Sequence, residues 1–198
     1  MGRSPLMPSR VTGARSPGPA RRAPAPGQVA PSFRDRFSAL FEAGFHRLFR
    51  YLDRLSGDPD LAADLAQEAF VRLYRRGSLP DEPDAWLISV AMNLFRNARK
   101  TTARRRRLLS GSGSGAAHGD PSAVPGRSLE AERTRQRVRA ALDRVPDRER
   151  SLLLLRAEGY SYRDLACALG LNEASVGTLL ARARRAFRES YGEGSDGS

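Results

Sequence analysis

Cysteine is almost missing from this sequence. Cys167 stands alone in 198 residues, and the two histidines, His46 and His118, lie far apart without ligand-like neighbours. One cysteine excludes an intrachain disulfide framework and a cysteine-based zinc site, so no metal and no other cofactor is expected. Long apolar runs are missing as well: none approaches the ~20 residues of a membrane span. The N-terminus carries arginine but lacks the roughly 7–15-residue apolar core of a secretory signal. A cytoplasmic chain without membrane insertion is the expectation. Strand-like alternation does not occur. Clustered carboxylates for a catalytic metal, or a nucleophile beside a base, are also wanting. Asp58, Asp60 and Asp64 read as residues of a helix start and its first turns, so an enzyme is not expected.

Lysine is the last scarcity, and it turns the argument toward what is present. Of 34 basic residues only Lys100 is lysine, and the formal net charge is +12 with a pI near 11.2. Such an excess suits a polyanionic partner. Arginine binds phosphate and guanine in bidentate fashion, which favours nucleic acid, although a GC-rich coding bias would also raise arginine.

Residues 1–31 hold Pro, Gly, Ser, Ala and five Arg with no acid. They cannot bury enough surface to offset ordering entropy, and a disordered tail is expected. From Phe33 the pattern changes. Phe33, Phe37, Leu40, Phe41, Phe45, Leu48, Phe49, Leu52 and Leu55 recur at three- and four-residue steps, one face of a long helix. Gly57 ends it, and Asp58 with Pro59 begins a second helix, marked by Leu61, Leu65, Ala69, Phe70 and Leu73 and closed near Gly77. Trp86, Leu87, Val90, Ala91, Leu94 and Phe95 mark a third, whose end, "RKTTARRRR" (99–107), carries six positive charges in nine residues. Capping alone needs fewer; phosphate contact is the better reading. These three helices make a domain over 32–107.

Residues 108–128, "LLSGSGSGAAHGDPSAVPGRS", read as a flexible linker, in which His118 is inert. A second helical domain is expected over 129–191 and a frayed tail over 192–198. Leu129, Val138, Ala141 and Leu142 line its first helix. Pro146, Asp147 and Glu149 suit the start of the next, and Gly159 stops it. Ser161 and Asp164 have capping-box spacing, Gly170 breaks the third helix, and Asn172 can cap the last. The fold class is therefore all-α: two small helical domains joined by a flexible linker, the second containing a helix-turn-helix at 162–181. Ala166 supplies the small residue at the crossing and Gly170 the turn. Leu165, Leu169, Leu171, Val176 and Leu179 supply the buried set. Cys167 reads as a small packing residue. Ser175 and Thr178 are placed to meet bases or phosphate, with Arg182, Arg184, Arg185 and Arg188 for backbone charge.

Three stretches narrow the field: "DLAQEAFVRLYR" (64–75), "AWLISVAMNLFRNARKTTARRR" (85–106) and "LDRVPDRERSLLLLRAEGYSYRDLACALGLNEASVGTLLARARRAF" (142–187). In order and spacing they resemble conserved regions two and four of bacterial RNA polymerase sigma factors, in the compact extracytoplasmic-function group. The resemblance covers roughly 33–190. It implies a protein that binds core RNA polymerase and directs promoter recognition and DNA opening. By match, Asp64, Gln67, Glu68, Phe70 and Tyr74 would dock on the clamp helices of the β′ subunit; the β subunit is a further contact. Asn93 and Asn97 would meet the opened minus-ten element, with Arg96, Arg99, Lys100 and Arg104 on phosphates. Ser175, Thr178, Arg182, Arg184 and Arg185 would read the minus-thirty-five element, about two duplex turns, roughly 70 Å, away. An anti-sigma factor is a further partner the resemblance allows. Relatives commonly carry basic residues where this chain has Gly177 and Leu179, and many carry Asp at the place of Asn97. The alternative is a stand-alone helix-turn-helix regulator, which would bind duplex DNA without polymerase.

Overall fold

The computed structural model describes residues 31–110 and 129–193, and among them every regular element is an α-helix. The tail expected before Pro31, the part of the expected linker beyond Ser110, with His118, and the tail beyond Glu193 lie outside the described residues. Three helices form the first group: α1 (Phe33–Ser56), α2 (Pro59–Arg76) and α3 (Pro83–Ser110). Four form the second: α4 (Leu129–Arg144), α5 (Asp147–Ala157), α6 (Tyr162–Leu169) and α7 (Glu173–Glu193).

Local chemistry sets most helix ends. Ser32 caps α1 reciprocally with Asp35, each side chain satisfying a backbone donor the helix leaves free. Asp58 accepts from the Leu61 amide at 3.0 Å, with Pro59 in the first turn of α2. Gly57, at φ 71, lets the chain turn from α1 to α2 in two residues, a left-handed geometry that a Cβ would strain. Ser161 and Asp164 form the expected capping box on α6. Gly170 (φ 63) turns the chain, and Asn172 accepts from the Ala174 amide at 3.0 Å ahead of α7.

In the first group, α1 and α2 pack along each other and α3 lies against both. The core holds Leu48, Leu52, Leu65, Ala69, Phe70, Leu73, Leu87, Ile88 and Ala91. Tyr51, which lies on the same face but was not among the expected residues, is fully buried. In the second group α7 packs against α4, α5 and α6.

Several expected core residues lie elsewhere. Phe41, which α2 covers on one side only through Phe70, is 40 % exposed, and Leu129, the first residue of α4, is 80 % exposed. On α7 the buried residues are Val176, Leu180 and Ala183, while Leu179 is only partly covered. The four-residue step from Val176, not the three-residue one, follows the packed face. Cys167 is exposed rather than packed. Leu165 and Ala166 take the inward face of α6, and the next residue falls about 100° further round the helix.

The two groups also pack on each other: α3 meets α6 and α1 meets α5. One apolar cluster runs from Leu48 to Leu180 through this junction. Polar contacts frame it. Arg50 Nε lies 2.7 Å and Arg54 Nη1 2.5 Å from the carboxylate of Glu158. The Arg54 contact is close but off the line of a hydrogen bond, so it is charge pairing rather than a directed bond. Arg163 pairs with Glu82 at 2.5 Å, and Ser89 Oγ donates to the Ala168 carbonyl at 3.3 Å. Arg139 donates to the Ser56 carbonyl at 2.8 Å, and Arg47 sits 4.1 Å over the Tyr160 ring.

Candidate nucleic-acid interface

The surface of α2 is built by spacing. Asp64 and Gln67 are exposed one turn apart, and Tyr74, two turns on, is 47 % exposed on the same side. Glu68 is half-covered and engaged by Arg72 across one turn at 2.7 Å. Phe70, by contrast, is 2 % exposed. It packs edge-on against Phe41, ring centroids 5.1 Å apart, and edge-on against Phe37 at 6.3 Å. A partner can therefore meet Asp64, Gln67 and Tyr74 directly, but Phe70 only through its neighbours. Those neighbours form a surface that the α2 pattern did not reveal: Phe33 and Phe37 lie 6.0 and 5.2 Å from the Tyr74 ring, and Phe41 continues the strip. The signal was present in the sequence as more aromatics on α1 than two packed neighbours can cover.

On α3, Asn93, Arg96, Asn97, Lys100 and Arg104 are all exposed. Their steps of three and four residues keep them on one face. Arg96 Nη1 donates to Asn93 Oδ1 at 3.1 Å. A guanidinium only donates, so this bond fixes which way the Asn93 amide points and leaves its NH2 to donate outward. Arg99, beside the stripe, lies over the Phe95 ring at 5.8 Å. Half-buried Trp86 packs on the core, with Arg76 6.0 Å over its ring.

On α7, Ser175, Thr178, Arg182 and Arg185 are exposed and likewise share one face. Arg185 pairs with Glu189 at 2.8 Å, and that hydrogen bond and charge raise its pKa. Arg184 is exposed on a different side, with Leu153, Ala181, Phe187 and Arg188 around a shallow depression of about 350 Å³. Gly177 faces α6: a Cβ there would meet Tyr162 Cε2 at 3.7 Å. Leu179 packs against the core. Neither position lies on the Ser175–Arg185 face, which explains how the helix can lack basic side chains at both.

Between the groups, Leu55, Met92, Phe95, Arg96, Arg99, Asp147, Arg148, Arg150, Ser151, Ala168 and Leu169 line a cleft of about 440 Å³. Arg150, 8 % exposed, is held by Asp143 at 2.9 Å and Asp147 at 2.6 Å. Tyr51 lies under this junction. Burial pushes its phenol up to about 12, against smaller opposing effects of Ser151, Arg96 and Arg150. Among the described residues no group of three or more His, Cys, Asp or Glu could hold a metal ion.

Comparison with known proteins agrees with this architecture. Residues 40–105 match Sigma-70 region 2, and residues 135–187 match Sigma-70 region 4. ECF RNA polymerase sigma factor EcfG of Rhodopseudomonas palustris is 37 % identical over 140 residues, covering 67 % of this chain and 70 % of that protein. SigL of Mycobacterium tuberculosis is 32 % identical over 165 residues, covering 76 % and 85 %. SigE of Mycolicibacterium smegmatis is 30 % identical over 147 residues; the match spans 56 % of its length. Among solved structures, the sigma factor RpoE of Bartonella quintana, crystallised with the anti-sigma factor NepR, has the same fold, with a TM-score of 0.57 at 21 % identity over 78 % of this chain and 96 % of that one. The helix-turn-helix of the second group and the three-helix first group thus carry the two sigma regions in their expected order, and the chain belongs to the extracytoplasmic-function group of bacterial RNA polymerase sigma factors.

Proposed function

We propose that this chain docks on core RNA polymerase through Asp64, Gln67, Glu68 and Tyr74, with Phe70 setting the aromatic bed beneath them, and reads promoter DNA with α3 and α7. One observation carries the assignment of roles. Both exposed stripes begin with neutral hydrogen-bonding side chains and end in cations: Asn93 and Asn97, with Arg96 between them bonded to Asn93, ahead of Lys100 and Arg104, and Ser175 and Thr178 ahead of Arg182 and Arg185. Neutral donors and acceptors discriminate base edges, while cations hold phosphate and set register. Asn93, with its NH2 directed outward, is the residue assigned to a minus-ten base. Arg184 contributes only long-range charge, because it leaves the Ser175–Arg185 face.

The protein is a specificity subunit with no catalytic centre of its own, and it acts in the cytoplasm beside the polymerase. No described helix is long and apolar enough to cross a membrane. An anti-sigma factor of the kind crystallised with the Bartonella relative would cover the same surfaces. The test is co-elution of purified protein with sigma-free core polymerase in the absence of DNA. Asp64→Ala with Gln67→Ala should abolish it, and run-off transcription should then fail. Tight duplex binding by the protein alone, with no association with polymerase at micromolar concentration, would instead establish a stand-alone regulator.

A further inference from the structure

We propose that the cleft between α3 and α5 is a binding site for a nucleotide carrying two or three phosphates. Its cations set the phosphate end: Arg96 and Arg99 from α3, Arg148 and Arg150 from α5, against a single lining acid, Asp147. Four positive charges less one negative leave an excess of three. Asp143 and Asp147 are already committed to Arg150. Arg96, Arg99 and Arg148 are exposed and form no ion pair among the described residues; Arg96 donates to the neutral Asn93 amide, and Arg99 lies over the Phe95 ring. Three cations lining one hollow without a counter-charge repel one another, and a bound anion removes that cost.

Three further features point to an anion rather than to a solvated basic surface. The first is the start of α5, whose first two residues, Asp147 and Arg148, both line the cleft. Its N-cap is Pro146, which makes no side-chain capping bond, so the first-turn amides present the positive end of the helix dipole without a cap oxygen to accept from them. The second is Arg150. It is 8 % exposed and both its terminal nitrogens are paired, yet its Nε–H has no hydrogen-bond partner. The third is Tyr51, fully buried behind the same wall with a hydroxyl that has no partner. Its polar neighbours there are Ser151, Arg96 and Arg150, all of which line the cleft. A buried donor left without an acceptor is costly, and two on one wall mark a place that an acceptor would fill.

Size and the remaining lining select the ligand. The cleft holds about 440 Å³, within the roughly 300–1,000 Å³ of small-molecule sites. Leu55, Met92, Phe95, Ala168 and Leu169 give it an apolar side. An inorganic phosphate would leave that side wet, whereas a nucleobase covers it. One phosphate monoester carries about −1.5 to −2 charges, short of the excess of three, and a diphosphate or triphosphate makes up the difference. Guanidinium groups bind phosphate oxygens through paired parallel bonds, and a helix N-terminus adds amide donors to the same oxygens. Arg96 and Arg99 are also the groups proposed for minus-ten phosphates, so a bound nucleotide and the promoter strand compete for them. That consequence rests on the proposed reading of α3; the site itself does not.

The test is isothermal titration calorimetry on the full chain at fixed, near-physiological salt. Polymerase and DNA are left out, so failure of the site and failure of the promoter reading are told apart. ATP, GTP, CTP, UTP and inorganic triphosphate are titrated separately. At least one nucleotide should bind one to one with a micromolar Kd, and inorganic triphosphate at least about tenfold more weakly, because it leaves the apolar side uncovered. Arg148→Ala should weaken that nucleotide at least about tenfold. Arg75→Ala removes the same charge from α2, outside the cleft, and should change Kd by less than about twofold, since salt screens exposed charge at that remove. Far-UV circular dichroism checks folding, and Arg99→Ala poses the same question from the α3 wall should Arg148→Ala fail to fold. No nucleotide binding below millimolar concentration, equal losses in Arg148→Ala and Arg75→Ala, or inorganic triphosphate as tight as the nucleotides would each overturn the proposal. So would a short single-stranded oligonucleotide without terminal phosphates that binds as tightly and depends on Arg148 alike, which would give the cleft to the DNA strand.

Discussion

Replacing Gly177 with alanine should stabilise the protein and leave its DNA contacts intact. Gly177 lies inside α7, several residues from either end, where glycine costs about 1 kcal/mol relative to alanine. The backbone there is ordinary, since among the described residues the positive-φ glycines are Gly57, Gly77, Gly159 and Gly170. An added Cβ would meet Tyr162 Cε2 at 3.7 Å, ordinary van der Waals contact, so no steric term subtracts from the gain. If the chain unfolds as one body, 1 kcal/mol corresponds to a rise in Tm of roughly 2–4 °C at this size. Calorimetry tests both the rise and the one-body assumption, by comparing calorimetric and van't Hoff enthalpies. Because the methyl group points at α6 and not along the Ser175–Arg185 face, affinity of the polymerase complex for a promoter fragment, at fixed salt, should change less than about twofold. An unchanged or lower Tm would refute the claim that Tyr162 leaves room. A larger loss of DNA affinity at raised Tm would refute the assignment of the reading face.

Other outcomes follow from the same geometry. Phe70→Ala should cost about 3–5 kcal/mol through loss of buried aromatic packing, whereas Tyr74→Ala should cost little stability yet weaken polymerase co-elution; urea titration and sizing chromatography separate the two. Asp64→Ala with Gln67→Ala should leave Tm within about 2–4 °C, since exposed substitutions of this kind usually change stability by under about 0.5 kcal/mol each, while removing co-elution. Tyr51 makes the protein sensitive to alkali. Its phenol ionises near 10.0 when unfolded and at about 12 when folded, so its contribution is complete below pH 10 and is lost as pH rises through 12. Stability measured by denaturant titration between pH 9 and 11.5 should fall less steeply in Tyr51→Phe; an identical slope would show that Tyr51 is not protected from ionisation.

Helix boundaries were legible because local chemistry makes them. Asp58 before Pro59, Ser161 three residues before Asp164, and glycine at 57, 77 and 170 each act within one turn, and each stands where the spacing places it. The face of α7 was harder to read. Val176, Leu179, Leu180 and Ala183 are all apolar at helical spacing, and only the packed neighbours select Leu180 over Leu179. Cys167 was misplaced for the same reason: a small apolar residue between Ala166 and Ala168 carries no mark of which side is wet. The exposed polar stripes of α3 and α7 were readable from period alone, but the aromatic strip from Phe33 to Tyr74 joins two helices and shows only in three dimensions. Glu158 was beyond sequence altogether. An acid beside a glycine at a helix end reads as solvated, and its partner Arg50 stands 108 positions away.

The two-residue turn at Gly57 also imposes an order in time. Because α1, α2 and α3 are joined by short connections and share their own buried core, their contacts are local, and such helical groups condense in microseconds to milliseconds. Translation advances at about 5–20 residues per second, so α5 to α7 follow α3 only after several seconds. The exposed edge of α2 is therefore finished while Glu158 has yet to be added to the chain. Each new molecule passes through a stage in which the first group is complete and the second does not yet exist, and the packing of α5 on α1 and of α6 on α3 is the last thing its synthesis makes possible.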